Sequence, residues 1–216
     1  MDDTIIAQIA ALFALIIAIT THEAAHGFMA KAFGDRTAES MGRLTFNPIA
    51  HIDPIGTLLL PAILYFSGAH FLIGYAKPVP VDFRNLKPRR WGEMMVAFAG
   101  PGTNFILAFL AALAFHINPT QVTFGNDILM ESFRINIMLG VFNMLPILPM
   151  DGGRVLNALL PQKWAYKYSQ TERYGFFIVI LFVLIPIHNG QTLLSIILLP
   201  IVKMIMNLFI FLSGHG

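Results

Sequence analysis

The sequence contains no cysteine, which excludes disulfides and thiolate metal ligands. It is also poor in charge. Asp, Glu, Lys and Arg make up 12% of the 216 residues, against roughly 25% in an average soluble domain. Apolar residues reach 56% and the mean hydropathy is +0.68. This balance argues against a water-soluble core and for a chain solvated largely by lipid. A cationic leader is missing as well. The chain opens with the acidic Met1-Asp2-Asp3, and no small-residue cleavage site precedes Thr21. The first apolar stretch, from Ile5 to about Ala30, is therefore expected to be a retained transmembrane helix. The net charge of +2 points to no particular partner, and no nucleic-acid partner is expected.

What is present is a series of long apolar runs. A helix needs roughly 20 apolar residues to cross the hydrocarbon core. Residues 5–29, 91–117, 128–150 and 193–212 meet that need, and 174–187 is a shorter candidate. A sixth run, 55–75, is interrupted by Pro61 and by Ser67-Gly68. The basic residues arbitrate its course. Twelve of the fourteen Lys and Arg residues fall in three segments, between residues 31 and 43, 77 and 90, and 154 and 173. If 55–75 crossed once, as a Pro-kinked span, two basic loops would lie on opposite faces. If it dips in and returns near Ser67-Gly68, all twelve charges share the cytoplasmic face, as the positive-inside rule requires. The expectation is a re-entrant segment, five full spans, an outside N-terminus and a cytoplasmic C-terminus. Residues 43–47 and 77–83 read as extended, the second because Pro78 and Pro80 forbid a helix. They are expected to form a small β element on the cytoplasmic side.

Near the cytoplasmic end of the first run stands His22-Glu23-Ala24-Ala25-His26. Positions i and i+4 share a helical face, so both imidazoles can reach one ion, and Glu23 is placed to act as general base. Two histidines and a glutamate in an apolar helix are costly unless paired or bound. A catalytic zinc takes three protein ligands and keeps a fourth position open. Asp151 is the best third candidate. It ends another long run, on the same expected face, and Gly152-Gly153 after it allow close backbone approach. The competing reading is that Asp151 only caps a short following helix.

With Asn143-Met-Leu-Pro146-Ile-Leu-Pro149-Met-Asp151-Gly152-Gly153, the His22–His26 motif resembles the site-2 protease family of intramembrane zinc metalloproteases. Gly100-Pro-Gly-Thr-Asn104 is similar to that family's middle motif, and Tyr75-Ala-Lys-Pro-Val-Pro80 resembles a loop of its compact members. The likeness covers about residues 5–160. Leu148 and Met150 depart from the more proline- and leucine-rich version, without touching polar chemistry.

The resemblance implies His22, His26 and Asp151 as ligands of one zinc ion and Glu23 as catalytic base. It makes Asn104 and Asn143 candidates for positioning substrate or stabilising the oxyanion, with helix-to-helix hydrogen bonding as the alternative. It implies an all-α multi-pass membrane protein of five to six helices. The whole of 1–216 would be one protease domain in the cell membrane, without an appended soluble domain, and with two further helices in 174–212. The substrates implied are membrane-spanning proteins, such as membrane-anchored regulators, cut near the cytoplasmic face. The alternatives are a zinc-binding membrane transporter, or an inactive relative that binds membrane proteins without cutting them.

Overall fold

The computed structural model of the chain describes residues 3–59, 63, 75–117, 123–188 and 191–214. Helix α1 spans Asp3–Ala32. Along it, Ala10, Ala14, Ala18, His22, His26 and Ala30 follow in steps of four along one inclined ridge of the helix. The four alanines are fully buried, while Ile9, Leu12, Phe13 and Ile16 point outward. Small residues inside and large apolar ones outside is the pattern of a helix packed in lipid. There the gain comes from close backbone approach rather than from hiding apolar surface.

Two long helices pack against this small-residue face and against each other, α3 (Arg89–Ile117) and α4 (Thr123–Asn143). A four-residue helix α2 (Thr37–Ser40) lies between α1 and α3 in the chain. After α4 come α5 (Asp151–Leu159), α6 (Gln162–Ser169), α7 (Glu172–Leu184) and α8 (Leu193–Leu212). Ala108, Ala111 and Ala112 of α3 meet Phe133, Ile137 and Val141 of α4, and Leu198 and Val202 of α8 close this core.

Among the described residues, three helices are long and apolar enough to cross a membrane: Ile5–Ala32, Arg89–Phe115 and Leu193–Leu212. The expected span 128–150 is corrected in both directions. Its helix begins at Thr123 and stops at Asn143. Residues 144–150 are turns because Pro146 and Pro149 lack the N–H that a continuing helix needs. The helix also carries Asp127, Glu131 and Arg134. Helix α7 has 13 residues, about 20 Å of length against a core of about 30 Å.

The expected β element differs as well. Neither 43–47 nor 77–83 forms a strand. Pro78 and Pro80 remove ladder donors, and the Arg43 guanidinium, not a backbone ladder, joins the two segments, donating to the Lys77 carbonyl at 3.0 Å. The two short strands among the described residues are β1 (Pro186–His188) and β2 (Gln191–Thr192), an antiparallel pair before α8. Of the stretch 55–75, Pro54–Leu59 is a π-helical turn, and the expected turn at Ser67-Gly68 lies outside the described residues. The two ends of the stretch are bonded to each other. The Tyr75 N–H donates to the Gly56 carbonyl at 3.1 Å, and the Thr57 hydroxyl donates to the Tyr75 carbonyl at 2.8 Å.

Candidate metal centre

His22 and His26 stand one turn apart on the buried face of α1, and each ring is held by its Nδ1 atom. His26 Nδ1 lies 2.7 Å from the Val96 carbonyl of α3. A carbonyl only accepts, so Nδ1 carries the proton and Nε2 keeps a lone pair. His22 Nδ1 lies 2.6 Å from Asn104 Oδ1. The Asn104 amide nitrogen donates to the Ala18 carbonyl at 3.2 Å, which leaves its oxygen facing His22. His22 is therefore in the same tautomer, with Nε2 unprotonated.

The third group arrives from the loop after α4. Asp151 is the first residue of α5, where the helix N-terminus favours negative charge. Met150, not Asp151, occupies the cap position, so the carboxylate is not spent on capping. Gly152 and Gly153 press onto the backbone of Met144–Leu145 and Ile147–Leu148, where a side chain would overlap main-chain atoms. This packing directs Asp151 Oδ2 to 3.2 Å from His22 Nε2 and 3.5 Å from His26 Nε2. The two Nε2 atoms are 3.1 Å apart.

With both rings neutral, three atoms that can each offer a lone pair thus face one another. The edges of a tetrahedral zinc site with bonds near 2.0–2.1 Å measure about 3.3 Å, and the observed separations bracket that value. His22, His26 and Asp151 offer one ligand atom each, all within 4.8 Å of one another. Room for an ion exists because residue 100 has no side chain. A Cβ there would lie 2.5 Å from His26 Nε2 and 2.7 Å from His22 Nε2. By donor type, spacing and space, the residues fit a zinc ion with an open fourth position.

Glu23 sits on the flank of α1 and lines the same cavity of about 450 Å³, together with the three candidate ligands, Pro78, Val79 and Asn143. Its Oε2 accepts the Val79 backbone N–H at 2.9 Å, so the irregular segment after residue 75 holds the carboxylate in place. Asn143 back-bonds from its amide nitrogen to the Leu139 carbonyl at 3.0 Å and borders the cavity. Asn104 is fully buried and is not among the residues that line the cavity.

Three contributors were not anticipated. Asn136, fully buried, accepts from the Asn104 amide at 2.9 Å. Its signal was present in the sequence, since a lone amide in an apolar helix demands a partner. Asp35 is also fully buried and collects hydrogen bonds from the Thr37 and Asp82 N–H groups and from the Asn85 amide. It anchors the segment that carries Val79. Gly175 of α7 lies against the Leu148 carbonyl, so that helix braces the loop before Asp151. No pattern of residue types announces that contact.

Comparison with known proteins agrees with the centre. The profile of Peptidase family M50 matches residues 10–126 and 123–187. A Bacillus subtilis (strain 168) protein named "Putative zinc metalloprotease YwhC" is 36% identical over 186 residues, 81% of this chain and 80% of that protein. "Putative zinc metalloprotease Rip2" of Mycolicibacterium smegmatis is 29% identical over 82% of this chain and 70% of its own length. "Zinc metalloprotease MJ0392" of Methanocaldococcus jannaschii is 27% identical over 74% of this chain but only 37% of its own length. No solved structure gives a significant match. The extent of the profile match and the similarity to the B. subtilis protein show that the chain belongs to peptidase family M50, the site-2 proteases.

Proposed function

We propose that the chain is an intramembrane zinc metalloendopeptidase that cuts membrane-spanning proteins close to the cytoplasmic face. The observation that carries this reading is the convergence of His22, His26 and Asp151 beside Glu23, in one cavity, near the end of an apolar helix long enough to cross the bilayer. A transporter would have no use for a carboxylate held beside the ligands by a backbone N–H.

His22, His26 and Asp151 hold the ion in this reading. When bound, zinc supplies Lewis acidity that polarises a peptide carbonyl and acidifies water. Glu23, fixed by Val79, takes the proton from the attacking water and passes it to the leaving amine. Asn143 borders the cavity and is the better placed of the two asparagines to donate to the oxyanion. Asn104, enclosed behind His22, is assigned instead to orienting that ligand, as buried partners of metal-bound histidines do.

The segment 55–75 is assigned a re-entrant course. The bonds between Gly56, Thr57 and Tyr75 support it, because they bring its two ends to one place. With that course the N-terminus is outside, the C-terminus is cytoplasmic, and α4 and α7 complete five spans. A substrate must be unwound to be cut, and an extended edge can hold it by main-chain bonds. Residues 43–47 or 78–83 are assigned this role. Membrane-anchored regulators are the proposed substrate class.

The test is cleavage of a single-span substrate by the full chain in proteoliposomes before and after chelation. Activity is expected to vanish with the metal and return with one equivalent of zinc. Cleavage that persists in metal-free protein contradicts the proposal.

A further inference from the structure

Behind His22 the hydrogen bonds do not stop at Asn104. They continue into α4 through two asparagine side chains that are both fully buried. Asn104 Oδ1 accepts from His22 Nδ1 at 2.6 Å. The Asn104 amide donates to the Ala18 carbonyl at 3.2 Å and to Asn136 Oδ1 at 2.9 Å. The Asn136 amide in turn donates to the Ser132 carbonyl at 2.8 Å and contacts the Ser132 hydroxyl at 3.2 Å. The chain crosses three helices, α1, α3 and α4, and ends on a backbone carbonyl.

We infer that Asn136 is a positioning residue for the metal centre, fixing the tautomer and orientation of His22 through Asn104. The inference rests on the reading of His22 as a metal ligand. Amide direction decides which nitrogen of His22 is free. A primary amide can rotate by half a turn and exchange its oxygen for its nitrogen at little steric cost. If Asn104 did so, its N–H groups would face His22 Nδ1. That atom would have to accept, and the ring proton would move to Nε2, where it removes the lone pair needed by the ion. Two acceptors oppose the rotation, the Ala18 carbonyl and Asn136 Oδ1. The Ala18 contact is the longer. Asn136 cannot rotate in its turn, because its nitrogen is committed to the Ser132 carbonyl. The backbone of α4 thereby dictates which nitrogen of His22 is free, and no water is needed to do it.

Removing Asn136 leaves Asn104 with one long hydrogen bond against rotation. Losses at such outer partners typically reach about 10–100-fold in metal affinity. Replacement by leucine keeps the branched outline of the side chain and deletes both polar atoms. Replacement by aspartic acid keeps an acceptor toward Asn104 and, in its protonated form, one donor toward Ser132.

The experiment measures zinc affinity of the full chain in detergent by chelator competition, with the visible spectrum of the cobalt-substituted protein as a geometric readout. Wild type and Asn136→Leu, Asn136→Asp, Asn104→Leu and Asn104→Leu/Asn136→Leu are compared. Asn136→Leu is expected to lose at least about tenfold in affinity and to shift the cobalt bands. Asn136→Asp should recover most of both. The double variant should be no weaker than Asn104→Leu alone, since one residue acts through the other. Unchanged affinity and spectrum in Asn136→Leu, with only a lower melting temperature, would overturn the inference. Additive losses in the double variant would do the same. Asn136→Ala carries the same comparison if the leucine variant does not fold. Should wild type take up no zinc that His22→Ala loses, the metal reading itself fails, and the relay with it.

Discussion

A missing side chain at position 100 matters as much to the centre as the side chains that surround it. Gly100 lets α3 approach α1 closely at the two imidazoles. Gly100→Ala presses a methyl against both His22 and His26. Overpacking of this kind costs about 1–3 kcal/mol; borne by the ion-bound form, that is roughly 5–150-fold in zinc affinity. Chelator competition is expected to show that loss while the helical content seen by circular dichroism stays the same. Wild-type affinity in Gly100→Ala would mean that the ion sits elsewhere. The pairing of His22 with His26 was legible because a helix converts a spacing of four into a shared face. Asp151 was legible from the glycines that follow it. Asn104 was legible as polar chemistry but not as a partner of His22. Sequence spacing does not tell which way an amide on another helix points.

At the scale of elements, the turn after α1 depends on Asp35. Burial pushes its carboxyl toward the neutral form. Hydrogen bonds from Asn85 and Thr37, and from the Asp82 N–H, outweigh this and hold its pKa below the ordinary carboxylate value. The sign follows from linkage. A group whose folded pKa is depressed contributes stability above its unfolded pKa, near 3.9. It loses that contribution as the pH falls through the folded value. Asp35→Ala removes a charged acceptor from the Thr37 and Asp82 N–H groups and the Asn85 amide, at a cost of about 1–3 kcal/mol. Its melting temperature should therefore fall below that of wild type at pH 7. The gap should narrow as the pH drops below about 3.9. An equal gap at all pH values would contradict the assignment. Helix existence at this scale was legible from apolar length alone, as in α1, α3 and α8. Helix ends were less so. Hydropathy runs on through residues 144–150, where Pro146 and Pro149 stop the backbone. The alternation in 43–47 suggested a strand, but the Arg43 side chain replaced the ladder it would have needed.

For the whole molecule, the lipid setting was evident in the scarcity of charge and in the clustering of basic residues. The grouping of His22, His26, Asp151 and Glu23 near one end of α1 gives the chain a compact candidate metal centre within a helical bundle. The loop after residue 75 braces Glu23, α7 braces the loop before Asp151, and α4 reaches His22 through Asn136. These long-range supports join residues far apart in sequence with no repeating pattern, which is why they emerged only from the fold.

The account stands most directly on Glu23. The decisive measurement is cleavage of a single-span substrate by the wild type and by Glu23→Gln, with zinc content determined for both. Removal of a general base is expected to lower the rate by at least about 10²-fold, with one zinc per chain retained in each protein. Near-normal cleavage by Glu23→Gln with zinc in place would contradict the account.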